Sequence, residues 1–105
     1  MKSVSVHELK EMLDRKEDLI LINVREPFEA EEASMGGTLI PLVEIPSRVN
    51  EIPTDKKVIV HCRSGARSAN AIGYLEQHHG FTNLYNLSGG ILAWATEIDT
   101  SLDPF

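Results

Sequence analysis

One cysteine in 105 residues leaves no partner for an internal disulfide, which suits a reducing compartment. No apolar run approaches the roughly 18 residues that a membrane-spanning helix needs. The start, Met1-Lys2-Ser3-Val4, has no long apolar stretch of the secretory kind. Positive charge is in deficit, with Lys and Arg numbering 10 against 16 Asp and Glu, a net charge of −6. That balance argues against nucleic acid or an anionic membrane surface as the main partner. Internal repeats, linkers and low-complexity segments are also missing. What remains, at 42% hydrophobic content, is one globular domain over residues 1–105, with room for one core and no second. The core is expected over about residues 3–98, with a loose tail over 99–105, and the default location is the cytoplasm.

What is present is an alternation of short apolar runs and helical patterns. Ser3-Val4-Ser5-Val6 reads as a short edge strand. Ser5 and Glu8 then form a capping-box pattern before a helix reaching about Lys16, with Leu9, Met12 and Leu13 on one face. Leu19-Ile20-Leu21-Ile22-Asn23-Val24 is a continuous apolar run too short for a helix, the pattern of a strand covered on both faces in a parallel sheet. Arg25 and Glu26 follow it. Pro27 suits a helix first turn, and Glu29, Glu31 and Glu32 predict a short solvated helix up to Ser34. Thr38-Leu39-Ile40 is a further strand, and Leu42 begins a short helix containing Arg48 and Val49, with Pro46 inside its first turn. Lys57-Val58-Ile59-Val60 is the central strand, and Asn83-Leu84-Tyr85-Asn86-Leu87 the fifth. The helix after the central strand presents Ala69, Ile72 and Leu75 inward and stops at Gly80. The last helix carries Ile91, Trp94, Ala95 and Ile98 at i, i+3, i+4 and i+7. Strands alternating with helices imply parallel βαβ units, hence a three-layer α/β/α domain with a mainly parallel five-stranded sheet.

The chemistry concentrates in His61-Cys62-Arg63-Ser64-Gly65-Ala66-Arg67-Ser68. The cysteine ends the central strand and a helix starts near Arg67, so the segment lies at the carboxyl edge of the sheet, where ligands of open α/β sheets bind. A short loop curling onto a helix start points backbone N–H groups inward, and the helix dipole adds partial positive charge. Arg63 and Arg67 lie nearby. A thiol so placed is acidified toward the thiolate, the nucleophilic form. Gly65 is read as a position of positive φ or of no room for a Cβ. Ser64 and Ser68 either bond the bound group or cap the helix, with capping favoured for Ser68. Arg67 either binds a donor or forms an ion pair with Glu26 or another carboxylate. His61 is read as a packed histidine, since it points to the opposite face from Cys62. His78 and His79 complement a helix C-terminus, Trp94 belongs to the core, and no metal set is present.

Cys62-Arg63-Ser64-Gly65-Ala66-Arg67-Ser68 resembles the active-site loop of rhodanese-like sulfurtransferases, often Cys-Arg-x-Gly-x-Arg-Ser. The segments 21–27 (LINVREP) and 89–94 (GGILAW) are similar to the family's flanking motifs, in the same order. The resemblance spans Val6 to Trp94 and implies a rhodanese-like fold and sulfur transfer through a persulfide at Cys62, from thiosulfate or a persulfide to a thiol or cyanide. It also implicates Arg25 in substrate binding. The expected site is therefore Cys62 as catalytic residue with Arg63, Ser64, Gly65, Ala66, Arg67, Ser68 and Arg25 as substrate-binding residues, and no cofactor or metal. Small sulfur-containing anions and thiols are the expected partners, with a protein donor or acceptor as a further one. Two departures stand out: Asn23 replaces the aspartate usual before Val-Arg, and Glu32-Ala33-Ser34-Met35-Gly36 stands where Gly-His-Ile-Pro-Gly is frequent.

Two alternatives are weighed against a small-molecule enzyme. One is a carrier that takes up persulfide from a partner protein and passes it on. The other is a cysteine-dependent phosphatase, whose pattern His-Cys-x5-Arg is echoed by His61-Cys62. Only four residues separate Cys62 from Arg67 here, a tighter bowl suited to one sulfur atom rather than a tetrahedral phosphate.

Overall fold

The computed structural model describes residues 1–105. Five strands, β1 (Lys2–Val4), β2 (Leu19–Asn23), β3 (Thr38–Leu39), β4 (Lys57–His61) and β5 (Leu84–Leu87), form one sheet in the order β1-β5-β4-β2-β3. Every pairing is parallel. Between them run the helices α1 (Val6–Asp14), α2 (Pro27–Glu32), α3 (Ala66–His79) and α4 (Gly90–Glu97).

The side-chain alternation of the central strand sorts the core into two layers. Val58, Val60 and Cys62 pack on one side with Ala71, Ile72 and Leu75 of α3, together with Ile22, Val24 and Ile45. Ile59 faces the other way, onto Leu9 of α1, Trp94 of α4, Val4 and Leu87. The apolar run of β2 is divided in the same manner, Ile20 and Ile22 toward α3, Leu19 and Leu21 toward α1 and α4. Trp94 is thus a core residue.

The expected capping box forms: the Glu8 amide donates to Ser5 Oγ at 3.1 Å and the Ser5 amide to Glu8 Oε1 at 2.9 Å. Three helical expectations need correction. The first helix stops at Asp14, not Lys16, because Lys16 turns to φ 56°. The helix expected from Leu42 is two 3-10 turns, Leu42–Ser47 and Val49–Glu51, with Arg48 (φ −123°, ψ 21°) between them. Pro46 has no amide hydrogen, so an α-helical ladder cannot run through it. The acidic helix ends at Glu32 instead of Ser34, and Glu29 is not solvated, its side chain being 14% exposed. In the tail, Leu102 packs against the α1/α4 core layer, while Phe105 stays largely exposed.

Candidate active site

Cys62 follows the last residue of β4 and is 1% exposed. Beyond it the chain turns through Arg63 and Ser64 to Gly65, which holds φ 112° at the N-cap of α3. A side chain is strained there, so the turn that aims the helix start back at the cysteine needs glycine. Two backbone donors converge on the sulfur: the Gly65 amide at 3.1 Å and the Ser68 amide at 3.4 Å from Cys62 Sγ. Burial pushes the thiol pKa up. Against burial act the Ser68 hydroxyl when it turns to the sulfur and the amides of Ser68, Gly65 and Ser64, and the pKa lies below that of an ordinary cysteine.

The loop is clamped from two sides. On one, the first turn of α4 donates into it: Ile91 N–H to Cys62 O at 2.9 Å and Leu92 N–H to Arg63 O at 3.1 Å. Gly90 makes this contact possible, since a Cβ there would lie 2.5 Å from both carbonyl oxygens. On the other side Arg67 grips Glu29 with both guanidinium nitrogens, at 2.6 and 2.9 Å. Of the two readings of Arg67, the structure shows the ion pair, with Glu29 rather than Glu26 as partner. The Arg67 bond holds the Glu29 carboxyl at a pKa of about 2, and burial opposes this only partly. Glu29 also accepts the Glu26 amide at 3.0 Å, so one carboxylate joins the start of α2 to the start of α3.

Arg25 is 2% exposed, and its charge is used inside the protein. Its Nη2 donates to Ala33 O at 2.7 Å, its Nη1 to Glu29 O at 3.4 Å and its Nε to Asn23 Oδ1 at 3.2 Å. The guanidinium therefore satisfies the Ala33 carbonyl just past the end of α2, and adds a second donor to Glu29 O, which already accepts the Ala33 amide at 3.1 Å. Asn23 Oδ1 also accepts the Arg25 amide at 3.0 Å, so the amide at position 23 serves as acceptor without adding charge.

Ser68, the third residue of α3, does not cap the helix. Its hydroxyl lies 3.4 Å from Cys62 Sγ, 3.1 Å from Gly65 O and 2.5 Å from Asn86 Oδ1. Arg63 and Ser64 are exposed on the rim. A cavity of about 210 Å³ opens beside them, lined by Arg25, Phe28, Glu29, Glu32, Arg63, Pro104 and Phe105. A wider depression of about 570 Å³, with Asn50, Asp55 and His79 among its lining residues, lies away from Cys62, beside the start of β4.

His61 is fully buried on the other face, with Nε2 3.2 Å from Gly36 O. Burial lowers its pKa to about 4 and keeps it neutral. His78 and His79 end α3, with the Tyr74 ring tilted against both at centroid distances of 5.1 and 5.4 Å.

Sequence reasoning did not single out Glu29, Asn86 or the role of Gly90 in the site. Each left a trace. Glu29 stands three residues after Glu26 at a helix start, Asn86 is a polar residue within an apolar strand, and Gly90 belongs to a glycine pair just before a helix.

A cysteine at a strand end, aimed at amides of a helix start and closed by an arginine five residues on, is the arrangement to compare with known proteins. The family model described as the rhodanese-like domain matches residues 5–97. This chain belongs to the rhodanese-like family. A relative from Allochromatium vinosum named as a sulfurtransferase is 40% identical over 90% of this chain and 89% of its own length. Among solved structures, a rhodanese-related protein from Thermoplasma volcanium superposes with a TM-score of 0.83 at 31% identity, covering 93% of this chain and 94% of that one. The chain is also similar to part of an NAD-dependent persulfide reductase from A. fulgidus, with a TM-score of 0.70 at 33% identity over 90% of this chain and 16% of the reductase. No helix of the rhodanese-like fold here is long and apolar enough to cross a membrane.

Proposed function

We propose that this protein is a sulfurtransferase that carries sulfane sulfur on Cys62. One observation supports this above the others: Sγ faces two backbone amides across a loop with four residues between Cys62 and Arg67. Such a bowl stabilises an anionic sulfur and leaves little room for a tetrahedral oxyanion. In the first half-reaction the Cys62 thiolate attacks the outer sulfur of thiosulfate or the terminal sulfur of a persulfide. The new S–S bond forms as the old one breaks, and sulfite or a thiolate leaves with the electron pair. In the second, cyanide or a thiol in its thiolate form attacks the terminal sulfur and Cys62 leaves as thiolate. No general base is required in either step, because the amides and the helix start already favour the ionised thiol.

Arg63 is the residue proposed to attract an anionic donor, since it is exposed on the rim and pairs with no carboxylate. Arg67 and Arg25 act behind it by holding the loop and the wall. Ser64, Gly65, Ala66 and Ser68 supply the bowl, and a protein donor or acceptor is accommodated at the same mouth. The chemistry suits a reducing compartment such as the cytoplasm. The test is intact mass after exposure to thiosulfate, followed by turnover with cyanide. One added sulfur atom, lost together with turnover in Cys62→Ser, is expected. Labelling without turnover identifies a carrier instead, and cleavage of an aryl phosphate without sulfur transfer refutes the assignment.

A further inference from the structure

The Ser68 hydroxyl has one proton and three acceptors within reach, so its direction is a question of accounting. Asn86, one strand away on β5, answers it. Its Nδ2 donates to Gly65 O at 3.2 Å, which fixes the amide: turned over, Asn86 would set Oδ1 against that carbonyl oxygen. Oδ1 therefore faces Ser68 Oγ, at 2.5 Å, and takes its proton. Cys62 Sγ, at 3.4 Å, is then left beside the hydroxyl's lone pairs. The neutral thiol can donate to those lone pairs. The thiolate can gain a third donor only if the hydroxyl leaves Asn86.

We propose that Asn86 is a positioning residue that holds the Ser68 hydroxyl away from Cys62 Sγ and so limits the donors available to the ionised sulfur. This rests on Cys62 as the nucleophile and concerns how that nucleophile is tuned. Two backbone amides stabilise the thiolate permanently, while the hydroxyl is a reserve whose use costs its bond to Asn86. A sulfur held by fewer donors is a stronger attacking group, since nucleophilicity falls as a thiol becomes more acidic. Asn86 thus sets a balance between the fraction of thiolate and its reactivity.

The test follows the rate of Cys62 alkylation against pH, which reads the thiol without any sulfur substrate. Asn86→Ala removes the nearest competing acceptor and leaves only Gly65 O, already bonded by the Ala69 amide, to rival the charged sulfur, so the midpoint should fall by about one pH unit, a tenfold gain in thiolate fraction below it. In a Ser68→Ala background the same substitution should leave the midpoint where Ser68→Ala alone puts it. Asn86→Leu, closer in volume, replaces the alanine variant if that one does not fold. Asn86→Asp keeps an acceptor for Ser68 and adds negative charge, so its midpoint should rise. A residue that merely anchored Gly65 O would behave oppositely, its loss loosening the amides and raising the midpoint. An unchanged or raised midpoint in the folded Asn86→Ala or Asn86→Leu protein overturns the proposal, as does a fall that persists without the Ser68 hydroxyl. Failure of Cys62 to accept sulfur refutes sulfur transfer and leaves these midpoints to be judged separately.

Discussion

Gly90→Ala is the substitution whose effect the structure determines most closely. Gly90 holds φ 58°, and an added Cβ would stand 2.5 Å from the carbonyl oxygens of Cys62 and Arg63, against about 3.5 Å for comfortable contact. The left-handed backbone conformation alone costs an alanine about 1–2 kcal/mol. The overlap can be relieved only by parting the loop from α4. That weakens Ile91 N–H to Cys62 O and Leu92 N–H to Arg63 O, each worth about 0.5–1.5 kcal/mol. The sum is about 2–5 kcal/mol, a large share of a domain's total stability of about 5–15 kcal/mol. Two other glycines separate the contributions. Gly80 holds φ 69° with nothing within 4 Å, so Gly80→Ala should show the conformational cost alone, about 1–2 kcal/mol. Gly73 lies inside α3 with nothing within 4 Å and no positive φ, so Gly73→Ala should stabilise by about 0.5–1 kcal/mol. Urea unfolding measures all three. Alkylation of Cys62 should also slow in Gly90→Ala, because one of the carbonyls being displaced belongs to Cys62 itself. If Gly90→Ala costs no more than Gly80→Ala and leaves Cys62 reactivity unchanged, the α4 start does not fix the loop.

Two further expectations concern the residues behind the bowl. Glu29 has its pKa lowered from 4.5 to about 2 in the folded protein, so its contribution is fully present above pH 4.5 and is lost as pH falls toward 2. The contribution amounts to roughly 3 kcal/mol; Glu29→Gln should remove it, narrowing its stability gap from the parent protein across that window, whereas a gap that stays constant with pH would refute the pairing with Arg67. Arg25→Met should cost about 2–3 kcal/mol in urea unfolding by leaving the Ala33 carbonyl without its donor and removing the guanidinium bonds to Glu29 O and Asn23 Oδ1. Arg63→Met, on the exposed rim, should stay within about 0.5 kcal/mol while raising KM for thiosulfate, and equal stability losses at both arginines would refute this division.

The fold was legible because its signals are local. Period and length identified β2 and β4 as covered strands, Ser5 and Glu8 announced the first helix, and the alternation of elements implied a parallel sheet. The loop geometry was legible for the same reason, since Cys62, Gly65 and Arg67 are close in sequence. Long-range partners were not. Nothing near Arg67 says that its carboxylate is Glu29, 38 residues away, and Asn86 meets Ser68 only because β5 lies beside β4. Ser68 shows the limit best. Its position near a helix start suggested a cap, but it is the third helical residue, and its hydroxyl is drawn sideways by an acceptor on another strand.

The same long-range partners explain why Asn23 does not disable the loop. An aspartate there would supply a charge to anchor the neighbouring arginines, yet both are anchored without it. Arg25 is held by three oxygens, two of them backbone carbonyls, and Arg67 by both oxygens of Glu29. The substitution changes electrostatics more than geometry. Asn23 accepts the Arg25 amide and Nε but neutralises nothing, so the buried guanidinium keeps its full charge behind the bowl. Arg67 is balanced by Glu29, while Arg63 on the rim has no carboxylate partner. Arg25 from within and Arg63 from outside are therefore the positive charges near Cys62 that no salt bridge pairs, with Glu29 and Glu32 offsetting Arg25 through space. An aspartate at position 23 would pair directly with Arg25 and weaken the inner of these two charges, reducing the pull on both thiolate and incoming anion.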